Sequence, residues 1–224
     1  MQRLIIADSE TTGLKNPRPV EIAWVECDAN LNIIHRVESL IDPECAIEPG
    51  ASAVHGIYYK DVAEAPTMRE FFTYVQDNPF GYGDVVFAAH NAKFDLPMFK
   101  PYIANHDGTV CTMKLARRLY KEAPNHKLQT LREFLGLESG AAHRALGDVI
   151  TTHALLKRVM IDFDLSLEEI IELHNTPTFV KVMPFGKHKG TPLQELPASY
   201  KSWLMSLDDL DDNLRYSLNL VVNS

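Results

Sequence analysis

Cysteine is scarce in this chain: Cys27, Cys45 and Cys111 are the only three among 224 residues, and no two form a Cys-x-x-Cys pair. An odd, scattered set excludes a disulfide framework and a thiolate zinc centre, and it fits a reducing, cytoplasmic compartment. Long apolar runs are missing as well. The first, Leu4 to Ala7, meets Asp8 too soon to form a signal-peptide core, and no stretch approaches the roughly 18 apolar residues of a membrane span, so no membrane association is expected. Positive charge is in deficit, with 22 lysines and arginines against 30 aspartates and glutamates and a formal net charge of −8. That excludes a protein whose whole surface grips nucleic acid, leaves room for a local basic strip, and suits the binding of divalent cations. Internal repeats and low-complexity tracts are absent too.

What is present suffices for a core. Hydrophobic residues make up 46% of the chain and charged ones 23%, the balance of one globular domain of moderate size with or without a small appendage. Short apolar or β-branched runs at residues 3–8, 20–27 and 33–41, separated by turn-rich stretches, predict a three-strand meander. Helical spacing over 67–77 is followed by a buried strand at 84–90, a helix beginning near Asp95 and a short strand near Val110. Further helices are predicted over 113–121, 127–135 and 145–160. Strands first and alternating units afterwards indicate an α/β fold, a mixed sheet with helices packed on its faces. Beyond residue 160 the helical "SLEEIIELHN" leads into the proline- and glycine-rich "TPTFVKVMPFGKHKGTP". The expected division is a main domain over residues 1–165, a linker helix region over 166–176 and a small C-terminal module over 177–224, which is short enough to need packing against the body or a partner.

Charge is informative where it interrupts these elements. In "LIIADSETTGL", Asp8 and Glu10 lie two apart at the end of an apolar strand. If the strand continues that far, both carboxylates point to one face and need a cation; otherwise they are solvated turn residues. In "AAHNAKFDLPMF", Asp95 reads either as an N-cap with Pro97 in the first helical turn or as part of a site where a strand end meets a helix start. In "HRALGDVITTHALLKRVM", Asp148 heads a helical face that continues through Thr152, Leu155 and Val159 and turns apolar. It is either a first-turn acid favoured by the helix dipole or a charge carried inward that needs compensation. His143 precedes that helix, and an imidazole, with an ordinary pKa of roughly 6.5, suits proton abstraction near neutral pH.

The ordered set Asp-x-Glu, then His-Asn-x-x-Phe-Asp, then His-x-x-x-x-Asp resembles the three motifs of the DEDDh branch of the DnaQ-like 3′ to 5′ exonuclease superfamily. The resemblance covers about residues 1–160, with all five signature positions matched by Asp8, Glu10, Asp95, His143 and Asp148. "CTMKLARRLY" and "FGKHKG" are further similar to segments of the exonuclease X group, whereas residues 121–140 depart from its pattern. The resemblance implies an RNase H-like fold and release of nucleoside 5′-monophosphates from DNA 3′ ends, single- or double-stranded, in repair or recombination. Alternatives are a 3′ to 5′ exoribonuclease acting on RNA and an inactive end-binding subunit; protein partners are not identified.

Hard oxygen ligands favour two Mg²⁺, with Mn²⁺ able to substitute, roughly 3.5–4 Å apart. By resemblance Asp8 bridges the ions, Glu10 and Asp148 complete one of them, Asp95 supports the pair directly or through water, and His143 takes the proton from the attacking water. Candidate substrate contacts are Thr11, Thr12 and Gly13 after the first motif, His55 in "AVHGI", and Asn91. A basic face of Lys114, Arg117, Arg118 and Lys121 is a further candidate, as are Lys187 and Lys189 in the glycine-bounded turn of the tail. Each can instead be an ordinary loop, turn or solvated surface residue.

Overall fold

The computed structural model describes residues 3–75, 79–81, 83–138 and 142–222. β1 (Arg3–Thr11), β2 (Pro19–Cys27) and β3 (Ile33–Leu40) form the expected meander, and α1 (Pro49–His55), α2 (Tyr59–Val62) and α3 (Met68–Tyr74) follow. Residues 76–77 of the helix predicted over 67–77 lie outside the described residues. The alternating part consists of β4 (Asp84–Ala89), α4 (Ala92–Phe99), β5 (Asn105–Cys111), α5 (Thr112–Leu119), α6 (Leu128–Leu135), α7 (Ala145–Phe163) and α8 (Leu167–Asn175). The sheet runs β3-β2-β1-β4-β5, antiparallel across β3, β2 and β1 and parallel from β1 to β4 to β5.

β1 is the central strand and is covered on both faces, which is why it reads as a continuous apolar run. Its side chains alternate between two cores. Leu4 and Ile6 join Val25, Val86, Leu131, Val149 and Leu156 under the α5–α7 layer. Ile5 and Ala7 face the other way, into an aromatic core around the fully buried Trp24, which Phe80 meets edge-on with ring centroids 5.1 Å apart.

Two of the boundaries that differ from those predicted bear on the acidic residues. β1 continues three residues past Asp8, because Ser9 and Glu10 remain in register with Ile22 and Glu21 of β2. α4 begins at Ala92, so Asp95 lies within its first turn and is not its N-cap, and Pro97 falls inside the helix. The helix starts early because Asn91 adopts a left-handed conformation (φ 80°), which asparagine tolerates better than most residues, and turns the chain directly out of β4.

The chain divides into two compact units, residues 1–174 and 175–224. α8 therefore belongs almost wholly to the first unit: Leu167 and Ile170 are buried in the α7-side core, and Arg118 Nη1 donates to the Leu173 carbonyl at 2.9 Å. The second unit contains a Val182–Pro192 bridge, α9 (Ala198–Met205) and α10 (Asp212–Val222). Met183, Leu193, Leu196, Leu204, Leu210, Leu214 and Leu218 form a buried cluster of their own there, so the unit supplies more core than its length suggests.

Candidate active site

The alternation of β1 decides where each acidic group points. Asp8 and Glu10 continue the Leu4–Ile6 face and meet Asp148 in the first turn of α7; each of the three offers an oxygen within 4.8 Å of the others. Ser9 continues the opposite face and meets Asp95 on α4, donating from its hydroxyl (2.8 Å) and backbone N–H (3.2 Å) to Asp95 Oδ1. Asp95 is 3% exposed and stands behind the three clustered carboxylates. Behind Asp148 the helical face turns inward as predicted, with Thr152, Leu155 and Val159 all buried. His143 is exposed on the turn leading into α7, at φ 58°.

Burial and mutual repulsion make ionisation of this cluster costly. Asp8 is pushed well above the usual carboxylate range, first by burial and then by Asp95, Asp148 and Glu10. Burial also raises Glu10 to about 7, with Asp148 and Glu21 adding to it and Arg144 opposing. Asp95 rises to about 7 through burial despite the two hydrogen bonds from Ser9. Asp148 is raised by burial, against His143 and Gln129, whose Nε2 donates to Asp148 Oδ1 at 2.8 Å. Asp8, Glu10 and Asp148, which all resist ionisation and each keep an oxygen near one point, form a donor set that a hard divalent cation satisfies.

Two supports were not anticipated from the sequence. Glu21 of β2, 3% exposed, receives a two-pronged ion pair from Arg144 (Nε to Oε1 at 3.0 Å and to Oε2 at 3.1 Å) and the first N–H of α7 from Ala145 (2.9 Å). It thereby fixes the helix start that carries Asp148 and the turn that carries His143. Its signal was a lone charge inside the apolar strand "VEIAWV". Gln129 lies within residues 121–140, which offered no motif to align.

A cavity of about 410 Å³ opens beside Glu10, walled by Thr11, Gly13, Leu14, Val54, His55 and Phe94 among others. His55 is buried there as a structural clamp. Ile57 N–H donates to its Nδ1 (3.0 Å), so Nε2 carries the proton and donates to the Thr11 carbonyl (3.1 Å), and burial pushes the ring below its ordinary pKa. Thr11 Oγ1 donates to the Gly13 carbonyl (3.1 Å), and Thr12 Oγ1 accepts from Arg18 N–H (3.1 Å), so both hydroxyls hold the β1–β2 turn. Asn91 is exposed at the head of α4. Of the basic set, Lys114 and Arg117 lie on α5, Arg118 holds α8, and Lys121 falls beyond the end of the helix. Lys187 and Lys189 are exposed in the second unit.

A carboxylate cluster at the carboxyl end of the central strand of a mixed sheet, with an imidazole on the adjoining turn, defines a metal-dependent hydrolase of the RNase H-like type. The chain belongs to the exonuclease family, whose profile matches residues 5–156. It is 32% identical to Exodeoxyribonuclease 10 of Escherichia coli (strain K12) over 96% of each chain. It is 31% identical to the PolC-type DNA polymerase III of Caldanaerobacter subterraneus subsp. tengcongensis over 70% of this chain and 11% of that one. Among solved structures it resembles exonuclease X in complex with 5′ overhanging duplex DNA, with a TM-score of 0.62 and 31% identity over 78% of this chain and 100% of that one. It shares its fold with E. coli exonuclease I in complex with a dT13 oligonucleotide, at a TM-score of 0.64 and 21% identity over 73% of this chain and 43% of that one. Residues 169–218 also match the profile of a family described as a quorum-sensing-regulated virulence factor. Among the described residues no helix is long and apolar enough to cross a membrane.

Proposed function

We infer that this protein is a 3′ to 5′ exonuclease that removes nucleoside 5′-monophosphates one at a time from DNA 3′ ends, in a cytoplasmic setting and in the service of repair or recombination. The observation that carries the reading is the convergence of Asp8, Glu10 and Asp148 within 4.8 Å, at a strand end beside a nucleotide-sized cavity.

Asp8, Glu10 and Asp148 would hold two Mg²⁺ ions, or Mn²⁺ in their place, with Asp95, held by Ser9, supporting the pair directly or through water. Bound there, the cations supply charge neutralisation and Lewis acidity at the scissile phosphate. The chain's own groups do the rest. The cavity walls of Leu14, Val54 and Phe94 receive the terminal nucleoside, and the turn held by Thr11, Thr12 and His55 keeps Gly13 backbone at its edge. A ring nitrogen of His143, exposed on the turn ahead of α7, accepts a proton from the attacking water. The new bond joins water oxygen to phosphorus, and the bond from phosphorus to the 3′ oxygen of the penultimate nucleotide breaks, leaving a new 3′ hydroxyl. Asn91, Arg117 and Lys121, which are exposed, and Lys114, which is partly so, are available to the upstream backbone, whereas Arg118 is committed to Leu173.

The test is a 5′-labelled oligonucleotide incubated with protein and Mg²⁺, with EDTA and His143→Ala controls. A ladder shortening from the 3′ end, abolished by either control, is the expected result; shortening from the 5′ end, or full activity in either control, refutes the reading. Matched DNA and RNA strands compared side by side decide between the deoxyribonuclease and the ribonuclease activities.

A further inference from the structure

The second unit carries a row of rings that starts from its core, against which Tyr200 packs, and runs out to the surface at Trp203. His188 lies 4.5 Å from Tyr200 and Tyr200 5.3 Å from Trp203, centroid to centroid, and the rings are tilted by 53° and 31°. Trp203 is 52% exposed and Phe185 46%, and neither belongs to the buried cluster. The turn Gly186–His188 lies against this row, since a Cβ on Gly186 would come within 3.6 Å of Tyr200 Oη. That turn places Lys187 between two residues that touch Tyr200, with Lys189 immediately after.

Charge is segregated in the same way. Residues 179–203 contain Lys181, Lys187, Lys189 and Lys201 against the single carboxylate Glu195, a local excess of three positive charges in a chain of net charge −8. The acidic group Asp208, Asp209, Asp211 and Asp212 comes only afterwards. Closely spaced rings that reach water at Trp203, with exposed lysines beside them in the chain, are a combination that binds unpaired bases: a base offers its face to a ring, and the neighbouring phosphates meet lysines. The excess of cations over the single carboxylate Glu195 favours a polyanion as the occupant.

We propose that residues 175–222 carry a second nucleic-acid contact, a platform of His188, Tyr200 and Trp203 flanked by Lys187 and Lys189, that holds single-stranded DNA on the unit that does not contain the catalytic carboxylates. The proposal rests on the reading of the chain as a DNA exonuclease, and its test is separable from that reading because binding is measured without turnover.

Full-length protein in EDTA is titrated with an oligothymidylate about twenty nucleotides long, a length exceeding the roughly 4–16 nucleotides of a typical single-strand site. Trp24 is buried and Trp203 exposed, so quenching of tryptophan emission reports on Trp203. Trp203→Ala should abolish the quench and weaken binding about fivefold or more, while Trp203→Phe, which keeps a ring, should retain most of the affinity. Replacing Lys187 and Lys189 together by alanine should lower the slope of log affinity against log salt by about 1.4. With Mg²⁺, Trp203→Ala should raise KM for the long oligonucleotide and leave turnover of a trinucleotide as in the wild type. Absence of quenching at saturation, or equal long-to-short activity ratios in wild type and Trp203→Ala, overturns the platform and leaves a protein as the occupant. Failure of the wild type to degrade either substrate overturns the exonuclease reading itself.

Discussion

Replacing Asp8 with asparagine should abolish hydrolysis yet make the metal-free protein more stable. Asp8 shares a point with Glu10 and Asp148, their oxygens within 4.8 Å of one another. At an effective dielectric of about 20, two unit charges at that distance repel by roughly 3 kcal/mol. Asparagine keeps the shape and removes two such repulsions together with the cost of burying the charge. Relaxation and residual hydration of the partly exposed Glu10 and Asp148 reduce this to a gain of about 2–4 kcal/mol at pH 8 in EDTA, or roughly 4–16 °C in Tm. The gain must depend on pH with a defined sign. Folded carboxyls near 7, as for Glu10 and Asp95, hold protons that the unfolded chain releases near its ordinary value of about 4. Wild-type stability therefore falls as pH rises through that window and levels off above it, and the variant should fall less steeply. Urea unfolding followed by circular dichroism at pH 4.5 and pH 8 should show the two proteins close together at the lower pH and separated at the higher. Saturating Mg²⁺ should raise the wild-type Tm and move the variant's little, because ligand stabilisation requires a site. A variant less stable than wild type at pH 8 in EDTA, or one that still degrades DNA, refutes the reasoning.

Arg144→Ala strands the buried Glu21 carboxylate at the start of α7. Since the guanidinium is half exposed, a loss of about 1–3 kcal/mol in urea melts is expected, with kcat falling more than KM rises because His143 and Asp148 are both carried by that helix start. Gln129→Ala should leave stability nearly unchanged, because a buried Oε1 without a partner disappears along with the bond to Asp148; the Mg²⁺ concentration for half-maximal activity should rise about tenfold. Gly13→Ala places a Cβ 2.3 Å from Glu48 Cδ at φ 152°. The exposed Glu48 side chain can swing aside, so the expected cost is about 1 kcal/mol of backbone strain, with KM for short oligonucleotides rising more than kcat falls.

How much of this was legible in the sequence follows from which interactions are local. The alternation of β1, the inward turn of the Asp148 face and the buried β4 strand are written in side-chain periodicity over a few residues, and the strands, helices and carboxylates follow from them. The family motifs assembled those carboxylates across 140 residues of separation between Asp8 and Asp148. Glu21 and Gln129 were not legible because their partners, Arg144 and Asp148, are distant in sequence, and a single glutamate or glutamine carries no periodic signature. His55 illustrates the opposite case: the motif suggests a substrate contact, but its two ring nitrogens are spent on Thr11 and Ile57, which only tertiary structure reveals. The start of α4 was misplaced because proline preference was weighed at Pro97, whereas the left-handed turn at Asn91 decided it.

The division of labour among the four acids reduces to the two-residue period of one strand. Asp8 and Glu10 reach Asp148 because they lie on the α7 face of β1; Ser9 reaches Asp95 because it lies on the α4 face. Inserting one alanine after Ala7 would exchange these assignments: the two carboxylates would turn towards the α4-side aromatic core and the serine towards α7. Such an insertion should cost more stability than Asp8→Asn gains, because it buries two unpaired charges, and added Mg²⁺ should not restore it. If instead the insertion bulged out after Glu10, where the β1–β2 register already shifts, the acids would keep their places and activity would survive. Moving the same alanine from before Asp8 to after Glu10 thus separates a site built on strand parity from one built merely on proximity: the first loses activity in one position only, the second in both or neither.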